Sequence, residues 1–243
     1  MKSNNKLFSY DQSKVRIDEI LKTDNKIYEE VDSIPSRDKL TFNNGFYVNK
    51  TSVIFVDIRN SSKLPENNQR PVLAKIYRAY ISEVVAVLNS DKNCAEISMD
   101  GDCVWGIYDT PYTTDIDGVF STAAKVSSLI ELLNCKFKKK NINSISVGIG
   151  ISFGRVLMIK AGYHGSGLND IIWMGEVVND ASKLCSFGNK GFGDKEIMIS
   201  SGFYGNLNDH NKDLLSWNSN RSCYHGQVIN TCMNDKLKED KCK

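Results

Sequence analysis

Histidine, net charge and cysteine motifs are scarce in this 243-residue sequence. Its three histidines show no metal-ligand spacing, and its seven cysteines include no CxxC pair, which argues against a zinc site or a disulfide framework as the basis of the fold. A formal charge of +2 gives no reason to expect binding to nucleic acid. We therefore expect reduced thiols and no nucleic-acid partner.

Long apolar stretches are missing as well. No stretch approaches the roughly 18 apolar residues of a membrane span. The opening residues, MKSNNKLFSYDQ, lack the apolar region of a secretory signal. These absences predict a soluble, cytoplasmic protein without a membrane partner.

The sequence does contain enough apolar material for one sizeable domain. Hydrophobic residues make up 41% of the chain and charged residues 25%, as in ordinary globular proteins. We expect a polar N-terminal extension with a short helix (1–45), a central domain (46–203), and a C-terminal strand followed by a charged, frayed tail (204–243).

The hydrophobic pattern of the central domain predicts an α+β fold. Apolar residues recur every three or four positions in two segments, which indicates helices, and shorter β-prone runs indicate strands. The resulting order is β-α-β-β-α-β, the ferredoxin-like split βαβ arrangement, with further strands and one helix after it. The predicted segments are strands at 52–56, 94–98, 103–108, 144–154, 170–174 and 196–200, and helices at 71–88, 118–135 and 176–187.

Two aspartates stand where this topology brings strands together. Asp57 ends the first strand, and Asp102 lies in the hairpin turn MDGD between the second and third strands. Because the first and third strands are neighbours in a split βαβ fold, the two carboxylates should converge at one edge of the sheet. Convergent carboxylates suit a divalent cation such as Mg²⁺, and two such ions can hold both the attacking and the leaving oxygen of an in-line displacement.

The residues after Asp57 form a short polar turn. Arg59, Asn60 and Ser61 precede a helical segment, where free backbone N–H groups can bind phosphate. The alternative is that Asp57 only caps a turn and Asp102 only makes a hairpin. The pair of carboxylates together with a candidate phosphate loop favours a nucleotide site.

Four segments, in order, resemble motifs of the class III nucleotidyl cyclases. FVDIRNSS resembles their FADIRGFT segment, and ISMDGDCVWGIYD resembles their KxxGD hairpin. SVGIGISFGRVL resembles their VGIHTGxV strand pair, and WMGEVVNDASKL resembles the GxxVNxAxRL helix start. Each motif alone is weak, but together they span residues 51–200, so 46–203 is expected to be a cyclase catalytic domain.

The resemblance implies a set of roles. It assigns two Mn²⁺ or Mg²⁺ ions to Asp57, Asp102 and the backbone carbonyl of Ile58. It implies a homodimer with two composite sites, in which Asn179 of one chain orients the ribose of the nucleoside triphosphate bound by the other. The transition-state arginine of the family aligns with Lys183, whose point charge cannot make the same two-pronged phosphate contact.

Three departures from the family pattern concern the base pocket and the phosphates. Purine cyclases usually have a lysine at the position of Ser98 and Asp or Thr at that of Ile172, and neither residue here carries a charge. The third departure is Lys183, which has no guanidinium, and Arg155 or Arg59 could supply one in its place. These departures are consistent with an inactive site, a different base or a misalignment.

Cyclases that lack the purine-reading pair but keep the metal aspartates resemble the pyrimidine cyclases of bacterial anti-phage (Pycsar) systems. In those proteins an aromatic residue ahead of the first strand narrows the pocket. Phe46 is expected to take this place and contact substrate, with its neighbour Tyr47 as the alternative.

The sequence thus predicts a metal-dependent cyclase that makes cyclic CMP or cyclic UMP from CTP or UTP, with a separate effector reading the product in antiviral defence. The alternatives are an adenylate or guanylate cyclase with an unusual pocket and a catalytically silent nucleotide-binding sensor. No residue distinguishes CTP from UTP.

Overall fold

Nine β-strands form one mixed sheet within residues 2–242, the part of the chain that the structure, a computed structural model, describes. Met1 and Lys243, the outer ends of the predicted first and last segments, lie outside these residues. The strands are β1 Tyr28–Val31, β2 Gly45–Ile58, β3 Cys94–Asp100, β4 Cys103–Asp109, β5 Val147–Tyr163, β6 Leu168–Met174, β7 Ile197–Ile199, β8 Ser216–Asn218 and β9 Cys223–Gly226.

The order across the sheet is β3-β4-β2-β5-β7-β9-β8, with β1 beside β2 and β6 beside β5. The α-helices of the described residues are α1 Tyr10–Leu21, α2 Leu64–Asn67, α3 Arg70–Leu88, α4 Thr113–Lys138, α5 Glu176–Phe187, α6 Ser201–Gly205, α7 Asp209–Asp213 and α8 Thr231–Glu239. None of them is long and apolar enough to cross a membrane.

The predicted fold class is confirmed. The core runs β2-α3-β3-β4-α4-β5, and β2 lies between β4 and β5. Both central strands are longer than predicted, because β2 continues past an irregularity between Val48 and Thr51 and β5 continues through Arg155. These extensions pair with each other and carry further buried residues, among them Val48 and Val156, so the predicted strand bounds covered only part of each strand.

The two faces of β2 have different partners. Ile54 and Val56 face the core formed with α3 and α4, and both are fully buried. Val53 and Phe55 face the opposite side, in a second cluster that includes residues of α5. Since side chains alternate along a strand, Asp57 follows Phe55 onto the α5 side of the sheet.

Helix α5 lies unusually close to β5. A Cβ atom at Gly150 would overlap the carbonyl oxygen of Ala181 and the backbone of Cys185, and one at Gly148 would overlap the carbonyl oxygen of Cys185. Only residues without a side chain permit this approach, so two glycines of β5 set the position of α5.

The end of the chain differs from the prediction. The C-terminal strand expected within 204–243 is β9, and it ends at Gly226. The expected frayed tail is helix α8, which Asn230 caps by accepting a hydrogen bond from the Met233 N–H. Such a cap stabilises a helix by about 1 kcal/mol. The helix packs on α4 and buries Leu237, the one buried residue in it, which is why the charged sequence concealed it.

A disulfide corrects the expectation that all thiols are reduced. Cys135 near the end of α4 is joined to Cys242, with the two Cα atoms 5.4 Å apart. Lys139 Nζ also donates to the carbonyl oxygen of Asp240 at 3.3 Å. The C-terminal helix is therefore attached to α4 by packing and by a covalent bond.

Candidate active site

The structure brings Asp57 and Asp102 together. Asp57 is the last residue but one of β2, and Asp102 lies in the turn after β3, where Gly101 adopts a positive φ of 64°. Val56 pairs with Val104 across β2 and β4, so the turn that holds Asp102 reaches the end of β2. Burial and the neighbouring charge of Asp102 raise the pKa of Asp57 to about 6, although the Arg59 guanidinium opposes the shift.

Arg59 folds back onto the first of these carboxylates. Its Nη2 atom donates to Asp57 Oδ2 at 2.7 Å and to the Asp57 carbonyl oxygen at 3.2 Å, and its Nη1 atom donates to the carbonyl oxygen of Ser186 at 3.2 Å. The Arg59 side chain is only 10% exposed and that of Asp57 is 33% exposed. The guanidinium is thus a nearly buried partner of the carboxylate pair.

The donor set fits a hard divalent cation. Asp102 Oδ2 is buried and accepts no hydrogen bond. Ile58 has its side chain in the core, so only its backbone can reach the site. No group of three or more His, Cys, Asp or Glu residues that could hold a metal occurs within residues 2–242. A pair of carboxylates completed by substrate phosphates is the arrangement that Mg²⁺ uses.

The turn after Arg59 has the expected shape for a phosphate loop. Asn60 adopts the left-handed conformation with φ 54°, which Asn tolerates better than most residues. Ser61 then begins a 3₁₀ turn that ends at Lys63, whose N–H donates to the Asn60 carbonyl. Their role in phosphate binding stays a prediction.

Helix α5 carries Asn179 and Lys183 on its exposed side, one turn apart. A cavity of about 320 Å³ beside Asp57 is lined on α5 by Ser182, Cys185 and Ser186, and not by Asn179 or Lys183. Within one chain neither predicted catalytic side chain lines the cavity that Asp57 lines.

Sequence reasoning missed one residue near Lys183. A cavity of about 460 Å³ on the other side of α5 is lined by both Lys183 and Arg221. Two hydrogen bonds from Arg221 to Asp194, from Nε at 3.2 Å and Nη2 at 2.7 Å, hold its guanidinium over the ring of Phe187. No motif marks Arg221, because the hairpin of β8 and β9 brings it from a distant part of the chain.

The residues predicted to surround the base lie on different surfaces. Ser98 pairs with Trp105 across β3 and β4, and Trp105 stacks on Phe55 with ring centroids 5.0 Å apart. Ile172 is 39% exposed on β6. Neither Ser98 nor Ile172 supplies a charge, as the sequence indicated.

Phe46 and Tyr47 point to opposite sides of β2. Phe46 is 5% exposed and belongs to the core cluster that contains Met158 and Trp173. Tyr47 lines a cavity of about 480 Å³, and the Arg155 guanidinium lies 5.1 Å from the centre of its ring. In this structure Phe46 is a core residue, and its contact with substrate stays a prediction.

The split βαβ sheet and the carboxylate pair at its edge are consistent with the class that the sequence motifs suggested, the nucleotide cyclases. Residues 47–231 match the family model of the adenylate and guanylate cyclase catalytic domain, so the chain belongs to that family and is a nucleotide cyclase. This identification agrees with the four motifs in the sequence.

Two similar proteins have names that specify the nucleotide on which they act. The chain is 42% identical over 217 residues to a uridylate cyclase of Gulbenkiania mobilis, an alignment that covers 85% of this chain and 82% of the relative. It is 39% identical over 209 residues to a uridylate cyclase of Treponema porcinum, which covers 86% of this chain and 72% of the relative.

Solved structures support the fold. The adenylyl cyclase CyaB of P. aeruginosa superposes with a TM-score of 0.59 at 23% identity, covering 69% of this chain and 83% of that one. The guanylyl cyclase Cya2 gives the same TM-score at 17% identity, with coverage of 70% and 82%.

The carboxylate pair predicts a pH-dependent stability. Because the folded protein raises the pKa of Asp57 from 3.8 to about 6, this carboxyl contributes stability at low pH that is lost as the pH rises through 6. Asp57→Asn should therefore stabilise the metal-free protein by about 1 kcal/mol at pH 7.5, after allowance for solvent screening. Urea unfolding in EDTA measures this difference, which should vanish near pH 4. Equal stability at both pH values would contradict it.

Proposed function

We propose that this cyclase converts a pyrimidine nucleoside triphosphate, UTP in preference to CTP, to the 3′,5′-cyclic monophosphate and pyrophosphate. The observation that carries the proposal is the 42% identity to a uridylate cyclase across most of both chains. The uncharged Ser98 and Ile172 support it, since neither side chain can replace the charged groups with which purine cyclases read a purine.

Each residue group has one task in this reaction. The 3′-oxygen of the ribose attacks the α-phosphorus, the bond from that phosphorus to the bridging oxygen breaks, and pyrophosphate leaves with the electron pair. Asp57, Asp102 and the Ile58 carbonyl would hold two Mg²⁺ or Mn²⁺ ions, which acidify the 3′-hydroxyl and neutralise phosphate charge. The turn residues Asn60 and Ser61 bind phosphate oxygens through their N–H groups.

Helix α5 supplies the remaining groups. Asn179 orients the ribose, and Lys183 stabilises the charge that develops on the phosphoryl oxygens. Arg221 lies in the cavity of Lys183, so it adds a second cation to the phosphate-binding surface. Its pairing with Asp194 pre-orients the guanidinium, and 29% of the Arg221 side chain is still exposed.

A second copy of the chain is the partner that completes the site. Neither Asn179 nor Lys183 lines the cavity of Asp57 in its own chain, and a homodimer with two composite sites would bring these residues to the carboxylate pair of the partner. The observation predicts complementation. Asp57→Ala and Asn179→Ala homodimers should each be nearly inactive, whereas a mixture should regain up to about one quarter of wild-type turnover through heterodimers with one intact site. A mixture as inactive as its components would contradict the composite site.

The two cations on α5 and the β8–β9 hairpin should affect catalysis differently. Lys183→Ala should lower kcat about 100-fold, because it removes a charge from the transition state. Arg221→Lys should raise KM by about tenfold with little change in kcat, since a uniform phosphate contact is weakened. Steady-state kinetics with UTP separates the two effects, and Lys139→Ala on distant α4 is the matched control. A KM effect for Lys183 and a kcat effect for Arg221 would reverse the assignment.

Defence is the proposed context of the reaction. The resemblance to anti-phage cyclases suggests that a separate effector protein reads the cyclic nucleotide. Expression of the cyclase with a neighbouring effector gene should reduce phage plating, and the Asp57→Ala cyclase should not. Equal protection by the wild-type and Asp57→Ala cyclases would show that the cyclic nucleotide is not needed for protection.

Incubation with Mn²⁺ and one nucleoside triphosphate at a time tests the substrate. Cyclic UMP from UTP is the expected product, with less from CTP. Product from ATP or GTP alone would identify a purine cyclase with an unusual pocket. Nucleotide binding without product would identify a silent sensor.

A further inference from the structure

The guanidinium of Arg59 occupies the place beside Asp57 where a cation is needed. Its Nη2 atom is 2.7 Å from Asp57 Oδ2, a distance at which this oxygen has a full charge-assisted hydrogen bond. Asp102 lies near Asp57 and contributes a second negative charge. Arg59 is thus the counter-cation of the carboxylate pair in the protein without metal.

The same guanidinium is bonded to the end of helix α5. Its Nη1 atom donates to the Ser186 carbonyl at 3.2 Å, and its Nη2 atom lies 4.0 Å from the Cys185 sulfur. Both residues line the cavity beside Asp57. One side chain therefore connects the edge of the sheet to the helix that carries Asn179 and Lys183.

A metal ion and this guanidinium compete for the same oxygen. A divalent ion at Asp57 would face a positive charge within about 4 Å, where like charges repel strongly in a partly buried site. The side chain is 10% exposed, so water screens the repulsion little. Arg59 has to leave Asp57 before the site can hold metal tightly.

We propose that Arg59 is a built-in placeholder for the metal: without metal its guanidinium offsets the charge of Asp57, and metal loading displaces it and releases the end of α5. This inference rests on the proposed function only in taking Asp57 and Asp102 as the metal ligands. Once displaced, the guanidinium is free to meet the phosphates of the substrate. Arg59 is then a positioning residue that couples metal binding to the helix bearing Asn179 and Lys183.

Mn²⁺ titration of the protein without nucleotide, followed by calorimetry, tests the placeholder. Arg59→Met keeps the length of the side chain but removes its charge, and it should tighten Mn²⁺ binding by about tenfold. Arg59→Lys keeps the charge and should remain within about threefold of wild type. Arg37→Met removes another guanidinium, one that pairs with Asp170 on β6, and should leave the affinity unchanged.

Hydrogen exchange supplies a second readout. Mn²⁺ should speed amide exchange at residues 186–190 of the wild type, because the Arg59 contact to Ser186 is lost. Arg59→Met should show fast exchange there with or without Mn²⁺. If a variant is too unstable for calorimetry, the effect of Mn²⁺ on exchange in the wild-type protein still tests the inference.

The outcomes separate this inference from the proposed function. Unchanged Mn²⁺ affinity in Arg59→Met, or no effect of Mn²⁺ on exchange at 186–190, would overturn the placeholder and leave the cyclase intact. Tighter Mn²⁺ binding in Arg59→Met, together with no cyclic nucleotide product from the wild type, would support the placeholder and contradict the proposed reaction. Mn²⁺ binding that survives Asp57→Ala would overturn the placeholder, because the ion would then bind elsewhere.

Discussion

Asp57→Ala should lower cyclase turnover by about 1,000-fold or more, because it removes a ligand of both proposed ions. Asp57 stands at the end of a strand that is buried on both faces. Without it, Asp102 is the one proposed carboxylate ligand that remains, and Asp100 is a further carboxylate that lines the cavity beside position 57. Measurement of cyclic UMP formation at saturating Mn²⁺ gives the size of the effect.

The fold should tolerate this change. The Asp57 side chain is one-third exposed, and its loss removes repulsion from Asp102 as well as the bond to Arg59. Asp109→Asn, at the far end of β4, is the matched control and should keep turnover within about twofold, because Asn keeps a side-chain oxygen that can accept from the Ile34 N–H. The proposed dimer should elute at the same volume as the wild type in size-exclusion chromatography. Full activity of Asp57→Ala would contradict the assignment of Asp57 as a metal ligand.

Gly150→Ala should destabilise the protein by about 3 kcal/mol or more, because its methyl group has no room. A Cβ atom there would overlap the Ala181 carbonyl and the Cys185 backbone, and backbone atoms cannot rotate away as a flexible side chain can. The strain must push α5 off β5. Urea unfolding monitored by circular dichroism measures the loss.

A neighbouring glycine gives the matched control for this prediction. At Gly154, a Cβ atom would meet Val177 Cβ at 3.6 Å, an ordinary van der Waals contact. Gly154→Ala should therefore change the free energy of unfolding by less than about 1 kcal/mol. If Gly150→Ala and Gly154→Ala were equally stable, the close packing of α5 on β5 would be wrong.

Local patterns were sufficient to predict the part of the site that lies on the sheet. The apolar run before Asp57 and the Asp-Gly turn before Asp102 are features of adjacent residues, and the topology then places the two carboxylates together. Because side chains alternate between the two faces of β2, Asp57 lies on the side of the sheet that α5 covers. The helix bearing Asn179 was also visible in the sequence.

Contacts between distant segments were beyond the reach of the sequence. Arg221 reaches the cavity of Lys183 only through the β8–β9 hairpin, which has no motif. The bond of Arg59 to Ser186 joins residues 127 positions apart. The expected contact of Phe46 with the base rests on the family resemblance alone. Alternation along β2 shows that Phe46 and Tyr47 point to opposite sides, but it does not show which side is covered by core residues.

The most direct test of the central claim is a competition among UTP, CTP, ATP and GTP at equal concentration with Mn²⁺, with products identified by mass spectrometry. The ratio of products reports relative kcat/KM, which is the measure of specificity. We expect cyclic UMP as the main product, at least about tenfold above cyclic AMP and cyclic GMP. Cyclic AMP or cyclic GMP as the main product would contradict the assignment of a pyrimidine cyclase.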